Sequence, residues 1–178
     1  MTDFDEFFAV AWPRLLRTTY AVTGDRQLAE DALQTAFTKA YAAWSRVSRA
    51  DEPIAYVRKI ALHTALVQQR KASARRETTV RSMPEAPVPG GSWPSAVSSE
   101  DGLLERDEVW AAIAELPPRQ RAVVVLRYYE DLSERQIAET LGIRPGTVKS
   151  QSSAALSTLR GLLGDTTNPT VSRVRGER

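Results

Sequence analysis

Cysteine is absent from this 178-residue chain and histidine occurs once. The first absence excludes disulfides and thiolate metal centres and fits a reducing compartment. The second leaves His63 without the partners a metal site or a general-base constellation needs, so the sequence implies no metal and no cofactor. No apolar run approaches the roughly 20 residues of a membrane span. The opening MTDFDEFF is acidic where a secretion signal is basic, so an unexported, cytoplasmic protein is expected. Catalytic fingerprints are missing too: no phosphate-binding loop, no dinucleotide glycine motif, no HExxH and no GxSxG, which argues against an enzyme. The net charge of +2 says little by itself. Its distribution says more. Arg58, Lys59, Arg70, Lys71, Arg75, Arg76 and Arg81 face only Glu77 in their stretch, whereas Glu100, Asp101, Glu105, Asp107 and Glu108 are offset only by Arg106. Such polarity suggests partners of both signs.

What is present is helical. Asp3 can cap a first helix carrying Phe4, Phe7, Phe8, Ala11, Leu15 and Leu16, which Pro13 should kink or divide and Gly24 should end. Asp25 caps a second, in which Leu28, Ala32, Ala36, Phe37, Ala40 and Trp44 form an apolar stripe. Its opposite face carries Glu30, Asp31, Gln34, Thr35 and Lys39, by residue type an ordinary solvated surface. Pro53 should open a third helix, in which Ile60, Leu66 and Val67 point inward. Tyr56, Arg58, Lys59, His63 and Arg70 on that helix include cations for phosphates and flat rings for unpaired bases. From Ser82 to Gly102 the density of proline, glycine and serine predicts a flexible linker, with Trp93 out of place in it. Beyond it, a helix from Leu104 to Leu116 should bury Leu104, Val109, Trp110 and Ile113. The next segment, RQRAVVVLRYYEDLS, carries three valines that favour a strand, yet Pro118 resembles a helix opening, and a helix is expected. The expected fold is all-α: a unit over residues 1–81, the linker over 82–102, a second unit over 103–164 and a disordered tail over 165–178.

The most informative stretch begins at Leu132: LSERQIAETLGIRPGTVKSQSSAALSTLR. Ser133 and Gln136 have the spacing of a capping box. Ile137, Ala138 and Leu141 share a face, Gly142 suits a positive-φ stop, and Pro145 suits the first turn of a second helix. Val148, Ala155, Leu159 and Leu162 are its expected buried stripe. Outward remain Thr147, Lys149, Ser150, Gln151, Ser153, Ala154 and Thr158, hydrogen-bonding or small groups without an acid. That is the composition of a helix that enters a major groove, in a helix-turn-helix.

Taken together, GDRQLAEDALQTAFTKAYAAW, the basic helix after PIAYVRKIA, the linker, and ELPPRQRAVVVLRYYEDLSERQIAETLGIRPGTVKS resemble the sigma-70 family of bacterial RNA polymerase specificity subunits. The likeness is to the extracytoplasmic-function type and its sigma-E-like actinobacterial group, and it covers nearly everything except linker and tail. It implies two all-helical domains that bind core RNA polymerase and promoter DNA, with an anti-sigma factor as an inhibitor of the kind the family uses. It further implies core docking through Glu30, Asp31, Gln34, Thr35 and Lys39. Minus-ten capture would fall to Tyr56, Arg58, Lys59, His63 and Arg70, and minus-thirty-five reading to Arg144, Thr147, Lys149, Ser150 and Gln151. The chain departs from the family where His63 and Val67 replace a frequent Asn and Asp, and where Gln151 replaces a frequent Arg. A free-standing helix-turn-helix regulator is the alternative; it would have no use for a polymerase-docking helix.

Overall fold

In a computed structural model the described residues, 3–79 and 103–164, are helical with no strand among them. The expectations for the linker and the tail, Trp93 included, lie outside them.

Helix α1 spans Phe4–Thr23. Asp3 caps it, its carboxylate accepting from the Asp5 amide at 3.2 Å, and Gly24 ends it in the left-handed conformation, φ 70°. Of the two expected effects of Pro13, a kink or a division, the second does not occur: the helix runs unbroken through it. Tertiary packing supplies the reason: Phe7, Ala11 and Leu15 on either side of it are buried on one face, and that burial outweighs the single hydrogen bond a proline removes. Helix α2 spans Arg26–Ala42 and starts at Asp25, which accepts from the Leu28 amide at 3.0 Å. It stops short of Trp44, which instead opens the four-residue α3, Trp44–Val47. Helix α4 runs Pro53–Thr79. α1, α2 and α4 pack around a core of Phe7, Leu15, Leu33, Ala36, Phe37, Val57 and Ala61.

The second unit contains α5, Leu103–Glu115, and α6, Pro118–Val124, followed by a π-helical turn over Val125–Tyr129 and then α7, Glu134–Leu141, and α8, Pro145–Leu163. The ambiguous valine segment is therefore helical, as expected. Its last turn is widened, with the Glu130 amide donating to the Val125 carbonyl across five residues at 3.2 Å. Arg121, from the ELPPRQR motif, turns inward and donates to the carbonyls of Ala114 and Leu116, so it holds the end of α5. Burial pushes its guanidinium below the usual arginine range, with Glu115 partly opposing.

Two expected inward residues are corrected. Val109 is 41% exposed and Leu162 is 51% exposed. Both fall outside the buried arc of their helices, because helical spacing gives the direction of an apolar stripe and not its width.

The two units do not stand apart. α1 meets α6 and the π turn, and α4 meets α7. One apolar cluster runs through the junction, joining Ala21, Val22 and Leu62 of the first unit to Ile113, Leu116, Val123, Leu126 and Ile137 of the second. Gly24 sits so close to α6 that a Cβ built on it would lie 3.1 Å from Nη1 of Arg121.

Candidate nucleic-acid interface

The helix-turn-helix is built as its sequence requires. The Ser133 amide donates to Oε1 of Gln136 at 2.9 Å and the Gln136 amide donates to Oγ of Ser133 at 3.3 Å, a reciprocal capping box. Gly142 takes φ 65°, and the Ile143 amide returns to the Ala138 carbonyl at 3.0 Å. Arg144 is the N-cap of α8 without a side-chain cap bond, which leaves its guanidinium outside, and Pro145 follows at the first helical position. Val148 and Ala155 are fully buried and fix the rotation of α8. Arg144, Lys149 and Ser150 are thereby exposed, and Thr147 and Gln151 half-buried. All five lie in the first two turns, where amide dipoles add positive potential to the two cations. Such a face attracts phosphates and offers hydrogen-bonding groups to base edges.

On α4 the five expected residues separate. Lys59, His63 and Arg70 are exposed. Tyr56 is half-buried and packs against the first core. Arg58 is buried, its side chain 3% exposed, and pairs with Glu130 at 3.3 Å. Helical spacing explains the split: Arg58, Leu62 and Leu66 share the stripe that faces the second unit, while Lys59, His63 and Arg70 fall on another. Burial pushes the Arg58 guanidinium below its usual range, and the Glu130 carboxylate partly opposes that. Three groups tied to this contact were not anticipated: Arg14, Thr18 and Glu130. They come from α1 and the residue after the π turn, and no local pattern connects them.

On α2, Asp31, Gln34 and Lys39 are exposed and Glu30 and Thr35 half-buried. Glu30 pairs with Arg26 at 2.8 Å, and Asp31 accepts from Nε2 of Gln27 at 2.9 Å. Asp31, Gln34, Thr35, Thr38 and Lys39 line a shallow groove. Next to it, sharing Gln34 and Thr38, lies an aromatic hollow of Phe4, Phe8, Trp12, Phe37 and Tyr41, with Tyr41 67% exposed. Among the described residues no cluster of three or more His, Asp or Glu could hold a metal ion, and no helix is long and apolar enough to cross a membrane.

Fold and surface together define an all-helical DNA-binding protein of the helix-turn-helix class with a second, separately built helical unit. Residues 11–75 match the family Sigma-70 region 2, and residues 106–159 match Sigma-70, region 4. The chain is 32% identical over 158 residues to the RNA polymerase sigma-E factor of Streptomyces coelicolor, covering 89% of this chain and 84% of that one. It is 34% identical over 158 residues to the ECF RNA polymerase sigma factor SigL of Mycobacterium tuberculosis, covering 88% and 84%. Among solved structures, the sigma factor RpoE of Bartonella quintana, crystallised with the anti-sigma factor NepR, shares the fold with a TM-score of 0.70 at 20% identity, over 93% of this chain and 99% of that one. The chain belongs to the sigma-70 family, as a factor of the extracytoplasmic-function type. It binds core RNA polymerase and directs promoter-specific initiation; the free-standing regulator is not favoured.

Proposed function

We propose that the three exposed faces divide the work of initiation between them. The α2 face of Glu30, Asp31, Gln34, Thr35 and Lys39 docks on core polymerase. Lys59, His63 and Arg70 of α4 receive the minus-ten region, joined by Arg58 and Tyr56 once those become accessible. Arg144, Thr147, Lys149, Ser150 and Gln151 read the minus-thirty-five element. Residues 1–81 and 103–164 act as the two working units, 82–102 as their tether and 165–178 as a tail. The protein works in the cytoplasm as a non-catalytic polymerase subunit. An anti-sigma protein is a candidate inhibitor, because the Bartonella quintana relative was crystallised with one.

The observation that carries this reading is the exposed face of α8: two cations, three hydrogen-bonding side chains and no acid, held in place by Val148 and Ala155. Run-off transcription from a cognate promoter with purified core polymerase tests it. Transcripts that depend on this protein support the reading. Specific promoter binding by the free protein with no transcript from the holoenzyme would instead favour a free-standing regulator.

A further inference from the structure

Helix α7 has one side left bare by its neighbours, and a single cation stands on it. Ile137, Ala138 and Thr140 are buried, and α7 lies against both α4 and α8. A step of about 100° per residue therefore turns Arg135 and Glu139 outward, one turn apart. Nε of Arg135 donates to Oε1 of Glu139 at 3.1 Å, with the two side chains 87% and 63% exposed. Taken alone this is an ordinary surface pair, worth little to the fold. Its place in the helix-turn-helix gives it more to do. When the early residues of α8 enter the major groove, the first helix of the motif crosses the phosphate backbone beside that groove. α7 has few side chains with which to meet it. Glu134 and Glu139 are anions that phosphates repel, and Gln136 is committed to the capping box with Ser133. Leu141 has no polar atom, and Ile137, Ala138 and Thr140 are buried. Arg135 is what is left.

We propose that Arg135 is a further DNA contact, a guanidinium that grips a promoter phosphate and fixes where α7 rests on the backbone, and thereby how α8 is seated in the groove. Its ion pair suits this use. Glu139 engages only Nε, so the two terminal nitrogens, half of the fork that meets a phosphate, stay available. The pair is also exposed, so giving up a carboxylate for a phosphate costs little. Arg144 at the turn and Lys149 on α8 are exposed cations too, and Arg135 adds a third on a third segment of the motif. Two point contacts leave a rigid body free to pivot about the line that joins them. A third removes that freedom, which a helix reading base edges needs. The proposal rests on the reading of α8 as the minus-thirty-five helix and adds to it a residue on another helix.

The test is the salt dependence of holoenzyme binding to a promoter fragment selected by the parent holoenzyme. Arg135→Ala should weaken binding and lower the salt slope by about 0.9, so that its deficit against the parent shrinks about 3.5-fold between about 50 and 200 mM salt, with base preference unchanged. Arg135→Lys keeps the charge and should keep the parent's slope. Glu139→Gln separates a DNA contact from a helix staple. It breaks the same ion pair but leaves the cation in place and removes an anion from beside the phosphates, so it should tighten binding where Arg135→Ala weakens it. An Arg135→Ala holoenzyme with the parent's slope, or Arg135→Ala and Glu139→Gln moving affinity in the same direction, would overturn the contact. Lys149→Ala, measured alongside, tells the two readings apart. If it lowers the slope while Arg135→Ala does not, the contact of α7 alone fails; if neither lowers it, the reading of α8 fails with it.

Discussion

Arg58 and Glu130 are 72 positions apart in the chain and meet with both side chains nearly devoid of solvent. Their environments are unequal. Glu130 keeps Arg14 and Thr18 if Arg58 is lost, whereas Arg58 has no other carboxylate in hydrogen-bonding contact among the described residues if Glu130 is lost. Truncating them should therefore have different costs. Glu130→Ala should destabilise the folded chain by about 3 kcal/mol, the low end of what an uncompensated buried charge costs. Arg58→Ala should cost only about 1 to 2 kcal/mol, near that of a lost charged hydrogen bond. Urea unfolding followed by far-ultraviolet circular dichroism checks both, and equal losses would contradict the asymmetry.

The ends of α7 set the geometry of the reading helix, and both are open to single substitutions. Ser133→Ala breaks the capping box and should cost about 1 kcal/mol. Gly142→Ala meets no neighbouring atom but forces φ 65° on a residue with a Cβ, and should cost about 1 kcal/mol as well. Gly24→Ala carries the same φ penalty and, in addition, presses on Arg121 at 3.1 Å. It should therefore be the worse of the two glycine changes. Thermal unfolding of the three variants gives the order directly, and a Gly24→Ala as mild as Gly142→Ala would show that Arg121 gives way freely.

Much of this architecture was legible from residue types. Asp3, Asp25, Ser133, Gly24, Gly142 and Pro145 mark helix ends because capping and positive φ are local chemistry, and each stands where it was expected. The exposed face of α8 followed from the same local logic. Arg58 was not legible as a buried group, because its stretch looks uniformly basic and only the turn of α4 decides which cation faces the second unit. Glu130 was invisible for a related reason: its partners are 72, 112 and 116 positions away, a distance at which periodicity carries no information. Val109 and Leu162 were misplaced because helical spacing gives the direction of a stripe but not its width. Trp44 lost its place on α2 because the helix breaks at Ala43, where φ −109° and ψ 17° leave the helical region and no breaker residue announces it.

Asp31 is exposed; among the described residues its carboxylate accepts from Nε2 of Gln27 on its own helix, and its main-chain carbonyl accepts from the hydroxyl of Thr35. Replacing it changes the surface and little else. Asp31→Lys should lower affinity for core polymerase by about tenfold or more while leaving the unfolding midpoint within about 0.5 kcal/mol of the parent, as surface substitutions usually do. Fluorescence anisotropy of labelled protein against core polymerase, with a parallel melt, separates docking from folding. Unchanged affinity would remove this face from the docking surface.

Lys149 and Gln151 stand two residues apart on α8 but have different chemistry to offer. A lysine ammonium is a point charge that suits a phosphate and carries no sequence information, whereas a glutamine amide can donate and accept at once and pairs well with adenine. Lys149→Ala should therefore weaken holoenzyme binding across all promoter variants and reduce the salt slope by about one. Gln151→Ala should leave the salt slope intact and flatten preference at a single minus-thirty-five position, with a loss of about 1 to 3 kcal/mol on the preferred base. Selection from a randomised minus-thirty-five library, repeated at two salt concentrations, distinguishes these effects. Were Lys149→Ala to alter base preference and Gln151→Ala to alter only the salt dependence, α8 would have to sit in the groove rotated by about two residues, roughly 160° the shorter way, from the orientation its buried Val148 and Ala155 imply.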